Sequence, residues 1–249
     1  MRLYDFHRHS SFSDGCKPRE IFESANQFGI TDIAVTDHNN IAFHLDDEIK
    51  ELSIKHNIRT YMGCEFMVKS PYHKYHFEIL GLFFNVDNNK FIMNNYNHPR
   101  RGDGDMYRIC KDVSTVVNNV HEHGGICILC HPTIITNEDP NITITDRIFD
   151  IITLCNLDGL EMAESLMRIV KDGKIVNAND FRDDFLDDIT IKANAINSNR
   201  SPEHKLIILN NTDSHSEYDD RDTPFLQDNP TQIDLINSYL KRYGNNLVI

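Results

Sequence analysis

Short apolar runs alternate with longer amphipathic stretches along most of the chain. The apolar runs are bounded by turn residues, which predicts β-strands, whereas the stretches between them repeat apolar residues at helical spacing. The predicted strands are residues 2–6, 33–35, 58–68, 75–84, 126–130, 159–162 and 206–209. Because this alternation is typical of stacked βα units, the pattern predicts an α/β protein with seven strands.

The first predicted helix carries clear terminal signals. It begins near Pro18, a residue that suits the first helical position, and Gly29 fits just past its end. Further helices are predicted at residues 41–56, 106–123, 145–156, 181–196 and 232–243. The polar residues 85–105 are predicted to form a long loop.

The length of 249 residues suits one α/β barrel as well as two smaller domains. Neither a clear linker nor an internal repeat divides the chain, so we expect a single domain over residues 1–249. A hydrophobic content of 40% and a charged content of 25% are those of an ordinary globular protein.

The formal net charge of −13 argues against a broad surface for duplex DNA or for an anionic membrane. The sequence has neither a run approaching the ~20 apolar residues of a membrane span nor a signal-peptide pattern. Six cysteines without the spacing of a disulfide scaffold suit a reducing compartment. We therefore expect a cytoplasmic protein with no membrane partner.

Two of these cysteines, Cys127 and Cys130, match a C-x-x-C spacing inside an apolar, β-like run. Residues three apart in a strand point to opposite faces of the sheet. We therefore expect two small buried core residues rather than a redox pair or a zinc site.

Histidines and carboxylates recur at or near the ends of the predicted strands. Two of them, His7 and His9, lie at i and i+2 on an extended segment, project to the same side and can hold one metal ion together. The others are His38, Glu65, His76, His131, Asp213 and His215. Because the C-terminal strand ends of a βα barrel form its catalytic face, this placement predicts a metal site there.

The mixture of ligand types indicates the chemistry of that site. Imidazole and carboxylate suit divalent ions such as Zn, Mn, Fe or Mg, and a carboxylate can bridge two of them. We expect no thiolate at the site, which disfavours a structural zinc centre. Neighbouring ions can stabilise both the attacking and the leaving oxygen of a phosphate ester during hydrolysis.

Four ordered motifs resemble those of the PHP (polymerase and histidinol phosphatase) superfamily. They are F-H-R-H-S-S-F-S-D-G at residues 6–15, T-D-H-N at 36–39, C-H-P at 130–132 and T-D-S-H at 212–215. The resemblance implies a distorted (β/α)7 barrel that holds three divalent ions, namely Mn, Zn or Fe.

The same resemblance implies an assignment of ligands. One ion would take His7, His9, Glu65 and Asp213. A second ion would share Glu65 and add His131 with a ligand from the fourth strand, and a third would take Asp14, His38 and His215.

The fourth strand departs from the pattern of the superfamily. Many members carry a histidine three residues before the glycine of an I-L-G segment, where this chain has Glu78. A histidine, His76, lies two residues earlier, on the same face of the strand. Either residue can be the ligand, and we favour His76 because imidazole preserves the expected donor.

Other polar residues have proposed roles beside the ions. We expect Asp37 to orient His38 or a bound water, while Glu161 could either bind substrate or hydrogen-bond to the backbone. In the polar loop, His98, Arg100 and Arg101 are candidates for gripping a phosphate, although a solvated loop has the same composition.

These features favour a metal-dependent phosphoesterase for small phosphomonoesters, such as nucleotide or amino-alcohol phosphates. A metal-bridging hydroxide would attack phosphorus in line, and His215 or a metal-bound water would assist the departing alkoxide. The alternatives are a 3'-5' exonuclease acting on short single-stranded oligonucleotides, an amidohydrolase-like C–N or lactone hydrolase, and a non-catalytic metal-binding module.

Overall fold

The computed structural model describes residues 3–70, 76–83, 111–131, 143–163, 168–171, 174–177, 182–201, 205–219 and 226. Within these residues one eight-stranded sheet dominates the fold, and a separate pair of strands lies outside it. The strands are β1 (Leu3–Arg8), β2 (Ile30–Val35), β3 (Arg59–Lys69), β4 (His76–Phe83), β5 (Lys111–Asp112), β6 (Ile126–Leu129), β7 (Gly159–Ala163), β8 (Arg168–Lys171), β9 (Lys174–Asn177) and β10 (Ile207–Asn211).

The main path of the sheet runs β1-β2-β3-β4-β6-β7-β10, and the short β5 pairs with β3. These seven strands coincide with the seven predicted ones, so the predicted strand count of the barrel is confirmed. The structure adds β5 and the antiparallel pair β8–β9, which the sequence pattern did not indicate. It also extends β1 to Arg8, which places His7 within the strand rather than after it.

One strand of the path runs against the others. All neighbours pair in parallel except β4, which is antiparallel to both β3 and β6. The register places His76 opposite Lys69 and Glu78 opposite Met67. The N-terminal half of β4 therefore lies at the same rim as the C-terminal ends of the parallel strands.

The two ends of the path, β1 and β10, meet through hydrogen bonds that close the barrel. The backbone N–H of Asp213 donates to the carbonyl of His7 at 2.9 Å, and the N–H of His9 donates to the carbonyl of Ser214 at 3.2 Å. Below these, the buried carboxylate of Asp5 accepts the backbone N–H of Thr212 at 3.0 Å and its hydroxyl at 2.5 Å. The described pairings contain no regular ladder between β1 and β10. The side chain of Asp5 and the segment after β10 close the barrel there instead.

Helices cover the outside of the sheet. They are α1 (Pro18–Gln27), α2 (Asp47–His56), α3 (Val113–Glu122), α4 (Ile144–Leu154) and α5 (Arg182–Asn197). As predicted, α1 begins at Pro18, and Gly29 follows its end with a φ of 73°. Among the described residues, no helix has the length and apolarity needed to cross a membrane.

Two predicted helix boundaries differ from the structure. The predicted helix 41–56 is divided into a 3-10 helix at Ala42–Leu45 and α2, because Asp46 is extended and its side chain caps α2 through the N–H of Glu48. The predicted helix 106–123 begins only at Val113 within the described residues, after the capping residue Asp112. The predicted helix 232–243 and the whole of the predicted loop 85–105 lie outside them.

Apolar residues fill the barrel and the layer beneath the helices. The interior cluster contains Tyr4, Phe6, Ala34, Leu80, Leu82, Ile126, Ile128, Cys130, Ile207 and Leu209. Two outer clusters lie between the sheet and its helices. As expected, Cys127 and Cys130 are buried on opposite faces of the sheet, the former in an outer cluster and the latter inside the barrel. The interior cluster forms the floor on which the polar rim rests.

We expect Thr212→Val to destabilise the closure between β1 and β10. The substitution removes the hydroxyl that donates to buried Asp5, so the free energy of unfolding should fall by roughly 1–3 kcal/mol in urea titrations. The matched control Thr153→Val removes a hydroxyl that only bonds back to Phe149 within α4, and should cost less than about 0.5 kcal/mol. Equal losses in the two variants would contradict this role for Thr212.

Candidate metal centre

Ten side chains with metal-binding atoms meet at one rim of the barrel and form what we call the donor cluster. They are His7, His9, Asp14, His38, Glu65, Glu78, Cys130, His131, Asp213 and His215. Within the described residues they fall into four groups whose donor atoms lie within 4.8 Å of one another. The groups are His7, Glu65, Cys130 and His131; His9, Asp14, His38 and His215; His7, His9 and Asp213; and His38, Glu65 and Glu78.

The two histidines of β1 and the segment after it face each other as the H-x-H spacing predicts. Their Nε2 atoms lie 3.2 Å apart, and Oδ1 of Asp213 lies 3.2 Å from that of His7 and 3.3 Å from that of His9. Both rings are fully buried. Burial opposes a charge on His7, but Glu161, Asp213 and Glu65 outweigh it and raise its pKa well above the ordinary value.

The central member of the donor cluster is Glu65, a fully buried residue of β3. Its Oε1 lies 3.0 Å from Nε2 of His131, and its Oε2 lies 2.9 Å from Nδ1 of His38 and 3.2 Å from Nε2 of His9. Burial opposes ionisation, yet the surrounding imidazoles lower the pKa of Glu65 well below its usual range. A carboxylate with different imidazoles on its two oxygens could be shared by two ions if they were bound.

A third part of the donor cluster is more open to solvent. Oδ2 of Asp14 lies 3.5 Å from Nε2 of both His38 and His215. The ring of His9 stacks against those of both His38 and His215, with centroids at 4.4 Å and 4.2 Å. The side chain of His215 is 41% exposed, so this part lies nearest the mouth of the site.

On β4 the structure replaces His76 by Glu78 as the candidate ligand. The carboxylate of Glu78 lies 3.7 Å from Nδ1 of His38 and 3.4 Å from Nε2 of His131. His76 is exposed and belongs to none of the four groups. The physical reason is the antiparallel direction of β4, which places its first residue beyond the rim and its third residue above the interior Leu80.

The fully buried Glu161 of β7 contacts the ring of His7 on the side that faces away from the donor cluster. Both its oxygens lie 2.8 Å from Nδ1 of His7, and they also accept the backbone N–H of His131 and the side-chain amide of Asn211. This leaves Nε2 of His7 turned towards the donor cluster. Of the two roles considered for Glu161, the hydrogen bonds favour the structural one, in which it orients a ligand.

The carboxylate of Asp37 hydrogen-bonds to the loop after β1, whereas its predicted role in orienting His38 or a bound water stays a prediction. It accepts the backbone N–H of Ser10 at 2.7 Å and the hydroxyls of Ser10 and Ser13 at 2.6 Å each. The hydroxyl of Ser13 also lies 3.1 Å from Asp14 and 3.4 Å from Nδ1 of His9. We therefore describe Asp37 as a positioning residue for the loop that carries Asp14, not as a catalytic one.

Two candidate ligands have unusual backbone conformations. His131 has a φ of 21° and Asp213 has a φ of 48°. Positive φ is uncommon for residues other than glycine and concentrates at functional sites, because the surrounding structure must impose it. Both residues lie two positions past the end of a strand, and their side chains belong to the donor cluster.

One member of the donor cluster, Cys130, contradicts the expectation that no thiol lies at the site. Its sulfur is grouped with His7, Glu65 and His131. The sequence already placed Cys130 directly before the candidate ligand His131. The thiol was not counted as a ligand because neighbours in a regular strand lie on opposite faces. The predicted phosphate-binding residues His98, Arg100 and Arg101 lie outside the described residues.

The residues fit divalent metal ions. Five imidazoles and four carboxylates converge with nitrogen and oxygen atoms 2.9–3.5 Å apart, the spacing of ligands around a shared cation. Imidazole Nε2 atoms that face each other, as in His7 and His9, need a cation or a proton between them. Apart from Cys130, the donor set therefore suits borderline and hard ions, the classes that include the expected Zn, Mn and Fe.

We expect Asp37→Ala to weaken metal binding at Asp14, His38 and His215 while the fold persists. The loop loses three hydrogen bonds, so affinity there should fall about ten- to a hundredfold, measured by metal titration with far-UV circular dichroism as the check on folding. Asp37→Asn should lose less, and Asp150→Ala, an exposed residue of α4, should lose nothing. Wild-type affinity at every site in Asp37→Ala would refute the positioning role.

Metal binding should release protons at neutral pH. Burial lowers the pKa of His38 and His131, but neighbouring carboxylates raise the two values to about 11 and about 9 in the metal-free protein. Both rings are then protonated at pH 7, and each must lose its proton to ligate. Calorimetry in buffers of different ionisation enthalpy should detect the release, and affinity should rise from about pH 6 to about pH 8. Affinity independent of pH would contradict ligation by these rings.

Comparison with known proteins finds a family domain in the N-terminal half of the chain. Residues 5–128 match the family model of the PHP domain. An uncharacterized protein of Methanocaldococcus jannaschii is 28% identical over 152 residues, which are 61% of this chain and 68% of that protein.

Two solved structures share the fold. One is a suspected metal-dependent phosphoesterase of Bifidobacterium adolescentis, with a TM-score of 0.59 and 18% identity over 98% of this chain and 97% of that one. The other is an amidohydrolase of Chromobacterium violaceum solved with bound sulfate, with a TM-score of 0.56 and 17% identity over 95% and 96%. These likenesses confirm the predicted distorted barrel. The match of residues 5–128 to the family model shows that this part of the chain belongs to the PHP domain family.

Proposed function

We propose that this chain is a metal-dependent phosphoesterase that hydrolyses small phosphomonoesters, such as nucleotide or amino-alcohol phosphates, with three divalent ions. The observation that carries the proposal is the position of Glu65, whose two oxygens face different imidazoles at the centre of the donor cluster. Such an arrangement suits adjacent ions that share one carboxylate.

The proposed ligands of the three ions are those that the family resemblance implies, and they overlap the four groups of the donor cluster without coinciding with them. His7, His9, Glu65 and Asp213 would hold the first ion, and Asp14, His38 and His215 the third. The second ion would be held by Glu65, His131 and Glu78, which takes the place proposed for His76. When bound, such ions supply Lewis-acid polarisation of phosphoryl oxygens and activation of a water for in-line attack.

The chain's own residues then divide the remaining tasks. Glu161 fixes the ring of His7, and Asp37 fixes the loop of Asp14. Nδ1 of His215 lies 3.1 Å from the carbonyl of Asp213 and can donate to it, which directs Nε2 towards Asp14 at the mouth. Since the third ion would occupy Nε2 and the carbonyl of Asp213 occupies Nδ1, we assign His215 to metal binding and the protonation of the departing alkoxide to a water. The candidates for gripping the phosphate remain His98, Arg100 and Arg101.

The charge of the chain favours small substrates. A formal net charge of −13 opposes the long-range attraction of a polyanion, whereas a small phosphate at a metal-loaded site is drawn by the local positive charge. The exonuclease alternative requires contacts to several phosphates along a strand. The amidohydrolase alternative shares the initial H-x-H, but its usual bridging modified lysine is replaced here by Glu65.

The test compares three substrate classes on the full chain loaded with Mn, Zn or Fe. We expect phosphate release from p-nitrophenyl phosphate and nucleoside monophosphates, and little shortening of labelled oligonucleotides or hydrolysis of lactones. Glu65→Gln should reduce the rate at least about a hundredfold, because it removes the shared ligand, whereas Glu51→Gln on exposed α2 should have no effect. Absence of phosphate release with all three metals, or shortening of oligonucleotides alone, would overturn the proposal.

A further inference from the structure

The donor cluster contains a sulfur atom in its most buried group. The thiol of Cys130 lies with His7, Glu65 and His131, and their four donor atoms are within 4.8 Å of one another. All four residues are buried, and the exposed fraction of Cys130 is 3%. A thiol beside an imidazole and a carboxylate is a donor combination that suits a zinc ion, and the proposed function already assigns Glu65 and His131 to one ion.

The backbone explains how two consecutive residues can both face the centre. Residues 126, 128 and 130 alternate into the barrel interior, so the side chain of Cys130 points there. The N–H of Cys130 donates to the carbonyl of Glu78 at 3.0 Å, which holds it against β4 after β6 has ended. The positive φ of His131 then breaks the alternation and lets the next side chain reach Glu65.

We propose that Cys130 supplies its sulfur, as a thiolate, to the ion held by His131 and Glu65, so that this position prefers thiophilic ions to hard ones. Zn, Co, Fe and Cd ions would be favoured over Mn and Mg ions, because thiolate is a soft ligand. The inference rests on the metal centre of the proposed function, although not on the identity of its substrate.

Ligation requires the thiol to give up a proton. Burial raises the pKa of Cys130 well above its usual value, and the carboxylates of Glu65, Glu161, Glu78 and Asp213 add to this. The thiol is therefore protonated in the metal-free protein, and forming the metal–sulfur bond releases one proton to the buffer. Cys130 would also be shielded from oxidation while the ion is bound.

The chain offers a matched control in Cys127. It is equally buried, but its side chain lies in the outer cluster beneath the helices, on the opposite face of the sheet. Replacing either residue by alanine removes one sulfur from a buried site and costs similar packing energy. A difference in metal spectroscopy between the two variants therefore reports ligation and not a general loss of packing.

The experiment titrates metal-free full chain with cobalt and cadmium ions. We expect a thiolate-to-metal charge-transfer band in the ultraviolet for wild type and Cys127→Ala, and none for Cys130→Ala. The preference for zinc over manganese should fall about ten- to a hundredfold in Cys130→Ala, measured by competition. Zinc-edge X-ray absorption of the wild type, which needs no variant, should show a sulfur neighbour at about 2.3 Å.

The outcomes separate this inference from the proposed function. If the wild type binds cobalt stoichiometrically and releases phosphate but shows neither the band nor a sulfur neighbour, sulfur ligation is refuted and the phosphoesterase stands. A band that survives in Cys130→Ala also refutes it. If no divalent ion binds the wild type, the metal centre itself fails. A band lost only in Cys130→Ala, with a sulfur neighbour in the wild type but no phosphate release, supports ligation and refutes the activity.

Discussion

The structure depends on keeping one carboxylate, Glu65, charged where water cannot reach it. Removing an ionised carboxylate from water costs several kcal/mol unless opposite charge and hydrogen bonds surround it. Here imidazoles face both of its oxygens, and other carboxylates hold those imidazoles in turn. Glu161 fixes His7, and the imidazole charges lower the pKa of Glu65. At the rim of the barrel the charges of the carboxylates and the imidazoles thus offset one another. Divalent ions can take the place of the imidazole protons there.

Three further carboxylates, each on a different strand or strand end, hold the residues of this rim in position by hydrogen bonds. Asp5 lies on β1 and binds the end of β10, Asp37 follows β2 and binds the loop after β1, and Glu161 lies on β7. Each joins parts of the chain distant in sequence. The fold therefore positions its candidate ligands through hydrogen bonds between strand ends, while the apolar interior beneath fixes the strands themselves.

Much of the architecture could be predicted from the sequence because apolar periodicity reports directly on burial. The seven strands of the barrel, the start of α1 and the facing rings of His7 and His9 follow from spacing alone. Glu78 could not be chosen over His76, since both lie on one strand face and only the antiparallel register decides which reaches the rim. Cys130 was missed because a positive φ at the next residue breaks the alternation.

The segment after β10 both closes the barrel and supplies members of the donor cluster. Its backbone at Asp213 and Ser214 bonds to β1 and closes the barrel, while the side chains of Asp213 and His215 belong to the donor cluster. An ion that binds these side chains would also stabilise the closure of the barrel between β1 and β10. Folding and metal supply are then linked by mass action, since an ion that binds only the closed form stabilises it in proportion to the logarithm of its free concentration. Loss of the ions would therefore lower the stability of the closed barrel as well as remove its chemistry.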